Sequence, residues 1–372
     1  NDALKMLNNE PCSLMAKWMP SINTSSRETR ALAKRFMSKF NINAKDYRKT
    51  LSKLRGYIDV LEKKLCNNDW DKVNYSTVPS NAGLKYKDAF LKHDTERRKE
   101  YLEALAKGDP NVKINSSVLF PHEIVNKYNA NTMNWSWSRS VKDYDEALEQ
   151  MWKNLPNYIQ EGTSNILTVR DGSGSMWSTI GNTNISAMNV GTALTLYFSE
   201  RIEGEFKNKF ITFSSRPELV DLTYFKSLHD KLEELYQNYT DCSNTNIEAV
   251  FNMVLNIAIK HNLEQKDIPN LLIISDMEFD SAMSYSKTLE RLFETIGKRY
   301  NDAGYTLPKL IFWNVNSRTN TIPLTQNNLG VILVSGFSPA IVKMVLSNEL
   351  DPFKALLKEI TKERYSKITL TV

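Results

Sequence analysis

Asp171, Ser173 and Ser175 stand at alternate positions of Asp171-Gly172-Ser173-Gly174-Ser175, directly after the apolar run Ile166-Leu167-Thr168-Val169. Carboxylate and hydroxyl oxygens at that spacing, on a turn that glycine allows to close, are hard ligands. They suit Mg²⁺ or another divalent cation, which takes octahedral oxygen ligation and keeps some of its water. A second oxygen source is Asp276, which follows the apolar run Leu271-Leu272-Ile273-Ile274-Ser275. A third is expected from Thr245, in Asn244-Thr245-Asn246-Ile247 at the start of a strongly periodic helix. The similar Asn182-Thr183-Asn184-Ile185 offers Thr183 as a competing hydroxyl, while Glu278, Asp280 and Asp241 read as solvated or outer groups. The plainer reading of the same loop is a Ser/Gly turn that caps the next helix.

Other chemistries fit less well. A serine nucleophile on a G-x-S-x-G elbow needs glycine two residues to each side, and Ser173 has Asp171 and Ser175 there. His93, His122, His229 and His261 are all far in sequence from these serines, which argues against a triad. Neither a Walker A loop nor a G-x-G-x-x-G fingerprint is present. The expectation is a non-enzymatic binding protein that uses Mg²⁺ or a similar cation. A metal-assisted hydrolase is the least favoured alternative, since bound Mg²⁺ can polarise phosphate.

The elements that must position these oxygens are short continuous apolar runs separated by amphipathic helices, the pattern of a parallel sheet buried on both faces. Strands are expected at Ile166 to Val169, Phe210 to Phe213, Leu271 to Ser275, Leu310 to Trp313 and Val331 to Val334. Helical spacing appears in Val190/Ala193/Leu194/Tyr197, in Ile247/Val250/Phe251/Val254/Leu255 and in Leu289/Leu292/Phe293/Ile296, with a final helix carrying Phe353, Leu356, Leu357 and Ile360. Strand and helix in alternation predict an α/β fold, a doubly wound and mostly parallel sheet, with Glu218 to Thr223 as an antiparallel edge. In such sheets ligands bind outside the carboxyl ends of the strands, where Asp171 and Asp276 fall.

Residues 1–150 read instead as an all-α helical-hairpin domain, ahead of an α/β domain over 160–372. Ser25-Ser26-Arg27-Glu28 is an S-x-x-E capping box, and Tyr47, Leu51, Leu54, Ile58, Leu61 and Leu65 form one apolar stripe of a second helix. Asn129 to Ser140 has no periodicity and reads as the passage between halves; its Trp135 and Trp137 could stack bases or staple domains. Within residues 1–64 there are 14 basic against 6 acidic residues, an asymmetry suited to a polyanion. Lys34, Arg35, Arg48, Lys49, Lys53 and Arg55 are the candidate phosphate contacts for structured RNA, with a plain solvated face as the alternative. Three scattered cysteines form no C-x-x-C pair, and no stretch reaches the length of a membrane span, so a cytoplasmic protein is expected.

The order D-x-S-x-S, then a threonine at a T-N-I helix start, then a strand-end S-D, resembles the metal-ion-dependent adhesion site (MIDAS) of von Willebrand factor A domains over residues 160–372. That resemblance implies direct metal contact by Ser173, Ser175 and Thr245. Asp171 and Asp276 would hold the ion directly or through water, and one position would stay open for an acidic group of a protein partner. Leu14-Met15-Ala16-Lys17-Trp18-Met19-Pro20-Ser21, Tyr47-Arg48-Lys49, Leu54-Arg55, Val78-Pro79-Ser80 and Phe120-Pro121-His122-Glu123 resemble the helical half of a cellular and viral family that joins such helices to an A domain. The arrangement is similar to the Ro, or TROVE, proteins, which implies RNA binding through the helical half. A protein adhesion or scaffold module without RNA is the alternative.

Overall fold

The computed structural model describes residues 2–129, 141–159, 166–239, 246–276, 286–316, 324–326, 332–336, 353, 357 and 360–366. Val331, Leu356, Trp135 and Trp137 lie outside them. The chain divides into two compact units, Asn1–Asn115 and Ser116–Val372.

The first unit is helical among its described residues: α1 (Asp2–Leu7), α2 (Met15–Trp18), α3 (Arg27–Lys39), α4 (Ala44–Tyr57), α5 (Leu61–Cys66), α6 (Ser80–His93) and α7 (Thr95–Ala106). Helix α3 starts one residue later than the capping box implied. Ser26, not Ser25, is its N-cap and accepts the Thr29 N–H at 3.2 Å, which places threonine rather than Glu28 at the third position.

The single stripe expected from Tyr47 to Leu65 is served by two helices. Asp59 takes a left-handed backbone (φ 53°), and the Val60 N–H turns back to the Arg55 carbonyl at 3.2 Å, so α4 stops before α5 begins. Tyr47, Leu51, Leu54 and Ile58 then pack with Ala16 and Ala33, whereas Leu61 and Leu65 pack with Val73, Tyr75, Phe90 and Tyr101. Within the second cluster Arg98 is buried with its guanidinium 4.9 Å from the Tyr75 ring centroid and 5.2 Å from that of Tyr101. Cation–π attraction offsets part of the cost of burying that charge.

The second unit is built on a seven-stranded sheet of order β3-β2-β1-β4-β5-β7-β6. Its strands are β1 (Ile166–Asp171), β2 (Lys209–Phe213), β3 (Leu219–Asp221), β4 (Asn270–Ser275), β5 (Leu310–Asn314), β6 (Leu324–Gln326) and β7 (Ile332–Ser335). Pairs β2-β1-β4-β5-β7 are parallel, and β3 and β6 close the edges antiparallel. Every residue of β1 is buried, as a strand covered on both faces requires. On one face Leu167, Val169, Ile211, Ile273 and Phe312 meet α12 (Ile247–Lys260) and Ile296 and Tyr300 of α13 (Ser286–Asp302). The other face carries α10 (Ala187–Arg201), nearly all of which is buried.

Residues 116–129 and 141–150, expected in the helical domain, belong to the second compact unit instead. Helix α8 (Pro121–Tyr128) lies on α10, where Asn189 receives a hydrogen bond from Tyr236 at 3.2 Å and donates one to Asn126 at 3.0 Å. Glu200 of α10 accepts from Trp152 of α9 (Glu146–Lys153) at 2.8 Å and from Lys231 of α11 (Leu228–Asn238) at 2.7 Å. Glu149, 1% exposed, accepts the N–H groups of Leu228 and His229 at 2.8 and 3.0 Å and the Tyr128 hydroxyl at 2.7 Å. A carboxylate from α9 thereby takes up N–H donors that α11 cannot pair within itself. Burial, and then the neighbouring Glu149 charge, push the Tyr128 hydroxyl pKa well up, so it stays a donor.

Candidate metal centre

Strand β1 ends at Asp171 because glycine and serine follow; the chain leaves the sheet there and enters a short 3₁₀ turn at Gly174–Trp177. Asp171 is 3% exposed and both of its oxygens are engaged. Oδ1 accepts the Ser173 N–H at 2.8 Å, and Oδ2 accepts the Ser275 hydroxyl at 2.6 Å. The first bond closes the loop on itself, and the second ties it to the end of the adjacent parallel strand β4. Each oxygen keeps a further lone pair. The Ser173 and Ser175 hydroxyl oxygens come to 3.0 Å of one another. In an octahedron with metal–oxygen distances of about 2.0–2.1 Å, neighbouring ligands stand about 2.9 Å apart, so this pair fits two adjacent corners around Mg²⁺.

Asp276 lies one residue beyond β4 and is buried to 7% exposure. The parallel register that pairs Arg170 with Ile274 sets Asp171 and Asp276 at the carboxyl ends of neighbouring strands. Thr245 lies outside the described residues, as do Asp241, Glu278 and Asp280. The residue after Thr245, Asn246, hydrogen-bonds through its N–H to the Ser214 carbonyl at 3.1 Å and caps α12 with its side chain, at the carboxyl end of β2. Its rival Thr183 is exposed and gives its hydroxyl to the Ile180 carbonyl at 2.7 Å, closing a local turn. From the end of β5, Asn316 donates to Ser178 at 3.2 Å and holds the far side of the loop.

Behind the loop α10 approaches closely. A Cβ on Gly191 would stand 2.9 Å from the Met176 Cε and 3.5 Å from Ile274 Cγ2. Glycine inside a helix costs about 1 kcal/mol relative to alanine, and here it gives the backbone room beside the loop.

Two groups were not singled out from sequence. Ser275 orients Asp171 from 104 residues away, and its only signal is its place beside Asp276 at a strand end. Arg170 breaks the apolar run of β1 and points to α10. It is 1% exposed and donates to Thr192 Oγ1 at 3.0 Å, the Tyr239 carbonyl at 2.7 Å and Met188 Sδ at 3.0 Å. Burial lowers its pKa to about 10, which leaves it protonated at neutral pH.

Of the six basic candidates in the helical unit, Lys34, Arg35, Arg48, Lys49 and Lys53 are exposed. Arg55 is committed inward: it donates to the carbonyls of Ala16 and Met19 at 2.9 and 2.7 Å and to Ser21 Oγ at 3.0 Å. It ties α4 to the segment at α2 and is not presented to a partner as the other five are. A further group of metal-capable atoms, His229, Asp230 and Glu233, gathers within 4.8 Å on the first turns of α11. His229 Nδ1 already stands 3.2 Å from Asp230 Oδ1 there. Among the described residues, no helix is long and apolar enough to cross a membrane.

Residues 165–367 match the family described as domain of unknown function DUF7788, and residues 2–164 match domain of unknown function DUF2828. An uncharacterised protein of Acanthamoeba polyphaga mimivirus is 31% identical over 365 residues, which is 93% of this chain. The chain spans 60% of the length of that relative. Among solved structures, the Ro (RSR) protein of Deinococcus radiodurans aligns over 90% of this chain and 72% of its own, at 13% identity and a TM-score of 0.35.

Proposed function

The chain belongs to the DUF7788 family, whose description assigns no activity, and from its geometry we propose a non-enzymatic binding protein dependent on a divalent ion. In this reading Ser173 and Ser175 contact Mg²⁺ or a similar cation. Asp171 and Asp276 hold it directly or through water, and Thr245 completes the set in the manner of an A-domain adhesion site. The ion supplies an open coordination position that takes an acidic group of a protein partner. The observation that supports this most is the 3.0 Å hydroxyl pair beside a carboxylate fixed from two sides. All of these donors are hard oxygens, as Mg²⁺ prefers.

Thermal melting with Mg²⁺ against chelator tests the reading. Wild type is expected to gain stability with the ion, since whatever binds the folded state alone stabilises it by mass action. Asp276→Ala is expected to abolish that gain, and an ion response equal to wild type in this variant removes the proposal.

The exposed Lys34, Arg35, Arg48, Lys49 and Lys53 support a second role for the helical unit, a contact with structured RNA. That binding rests on phosphate neutralisation and is expected to weaken steeply with salt. RNA retention that is flat between low and high salt overturns it.

A further inference from the structure

A second feature of the α/β unit lies on the other side of β1 from β4. Arg170, Gly172, Ser214, Arg216 and Glu218 help line a cavity of about 70 Å³ at the carboxyl ends of β1 and β2. We propose that this cavity is an oxyanion subsite, beside the metal loop and sharing Gly172 with it, that takes a single phosphate-like group.

The case begins with the buried charge. The hydrogen-bond partners of Arg170 are a hydroxyl, a carbonyl and a thioether, all neutral, and among the described residues no carboxylate lies within ion-pair distance. Asp171, the next residue, acts on that charge from beyond ion-pair distance, so the buried cation is only partly compensated and gains where an anion completes it. A guanidinium carries five N–H donors and three are used, so two remain on a residue that borders the cavity.

Arg216 adds a second guanidinium from the connection between β2 and β3. It is exposed and forms no ion pair among the described residues. The backbone of that connection is fixed by Thr212 N–H to the Glu218 carbonyl at 3.0 Å and by Glu218 N–H to Thr212 Oγ1 at 2.9 Å. Glu218 is exposed at the rim, so among the lining side chains two guanidiniums accompany one carboxylate. Ser214, buried, supplies a neutral polar side chain.

Size admits the ligand. A single water needs about 10–15 Å³ of such space, so the cavity holds several waters and has room for a phosphoryl or carboxylate group. Donors from two arginines favour the phosphoryl oxyanion, whose oxygens can be approached from several directions. Its place outside the strand ends is where open α/β sheets bind ligands.

The test uses the full chain in the presence of chelator, so that failure of the metal reading leaves it untouched. Melting is followed against sodium phosphate, sodium acetate and sodium chloride at matched ionic strength. Phosphate is expected to raise Tm above chloride. Arg216→Ala, at an exposed position that leaves the fold intact, is expected to weaken the apparent phosphate affinity about tenfold, the loss of one charge-assisted hydrogen bond. Arg216→Lys is expected to recover part of it. Phosphate acting no better than chloride, a phosphate response in Arg216→Ala equal to wild type, or acetate matching phosphate each overturns the proposal.

Discussion

The helical unit and the α/β unit treat charge in opposite ways. In the first, most cations sit on outer helix faces, and those turned inward serve packing: Arg98 stands over aromatic rings and Arg55 clasps two carbonyls. In the second, Asp171, Asp276, Arg170 and Glu149 are all buried, three of them at or next to strand ends. The difference follows from architecture. Parallel strands end together, so loops from distant segments converge and can satisfy a buried polar group while leaving part of it to a ligand. Helical hairpins have no such convergence, and a side chain off the packed face simply meets water.

Breaking Glu149 tests the buried side hardest. Glu149→Ala leaves two helix N–H groups without their acceptor and the Tyr128 hydroxyl with only the Asp145 carbonyl at 3.2 Å, and is expected to cost about 3–5 kcal/mol in denaturant unfolding. A cost below about 1 kcal/mol would mean that α11 is held by its apolar face alone.

His122 sharpens the contrast through pH. Burial lowers its pKa to about 4, against about 6.5 in an unfolded chain. Below 6.5 the unfolded state takes up a proton that the folded state refuses until about 4. Stability from this group is therefore complete above 6.5 and falls as pH drops through that window, by up to about 3 kcal/mol. His122→Gln is expected to flatten that part of the profile; superimposable profiles would sink the assignment.

The smallest effects separate two cations of one helix. Arg55→Ala is expected to destabilise by about 2 kcal/mol, since it removes three hydrogen bonds. Lys49→Ala is expected to stay within about 0.5 kcal/mol of wild type while lowering the salt slope of RNA binding by about 1. Equal stability of the two variants would erase the distinction between clasp and surface.

Much of the sheet was legible in the chain. The runs at Ile166, Phe210, Leu271 and Leu310 all became strands, because burial on both faces demands continuous apolar residues. The oxygen-bearing loop was legible for the same reason, as it follows one of those runs. Strand β6, three residues long, is too short to show a pattern. The spacing of Leu228, Leu232, Leu235 and Tyr236 marks α11, but its acceptor Glu149 lies 79 residues upstream of Leu228, and no local pattern announces a partner so distant. The split between α4 and α5 hid for another reason. One left-handed Asp59 interrupts a stripe whose apolar spacing continues unbroken across it. Arg55 and Lys49 likewise have the same local look, and only the folded chain distinguishes them.

The contact of Gly191 with Met176 reaches beyond packing. A methyl at position 191 would press only on the far end of the Met176 side chain, 2.9 Å away, since Ile274 Cγ2 at 3.5 Å is in ordinary contact, so enlargement there is taken up by the thioether swinging aside. The two sites are coupled, growth at one answered by rearrangement or shrinkage at the other. In distant copies of this chain such paired exchange is the trace by which preserved spacing of the two serines would be recognised.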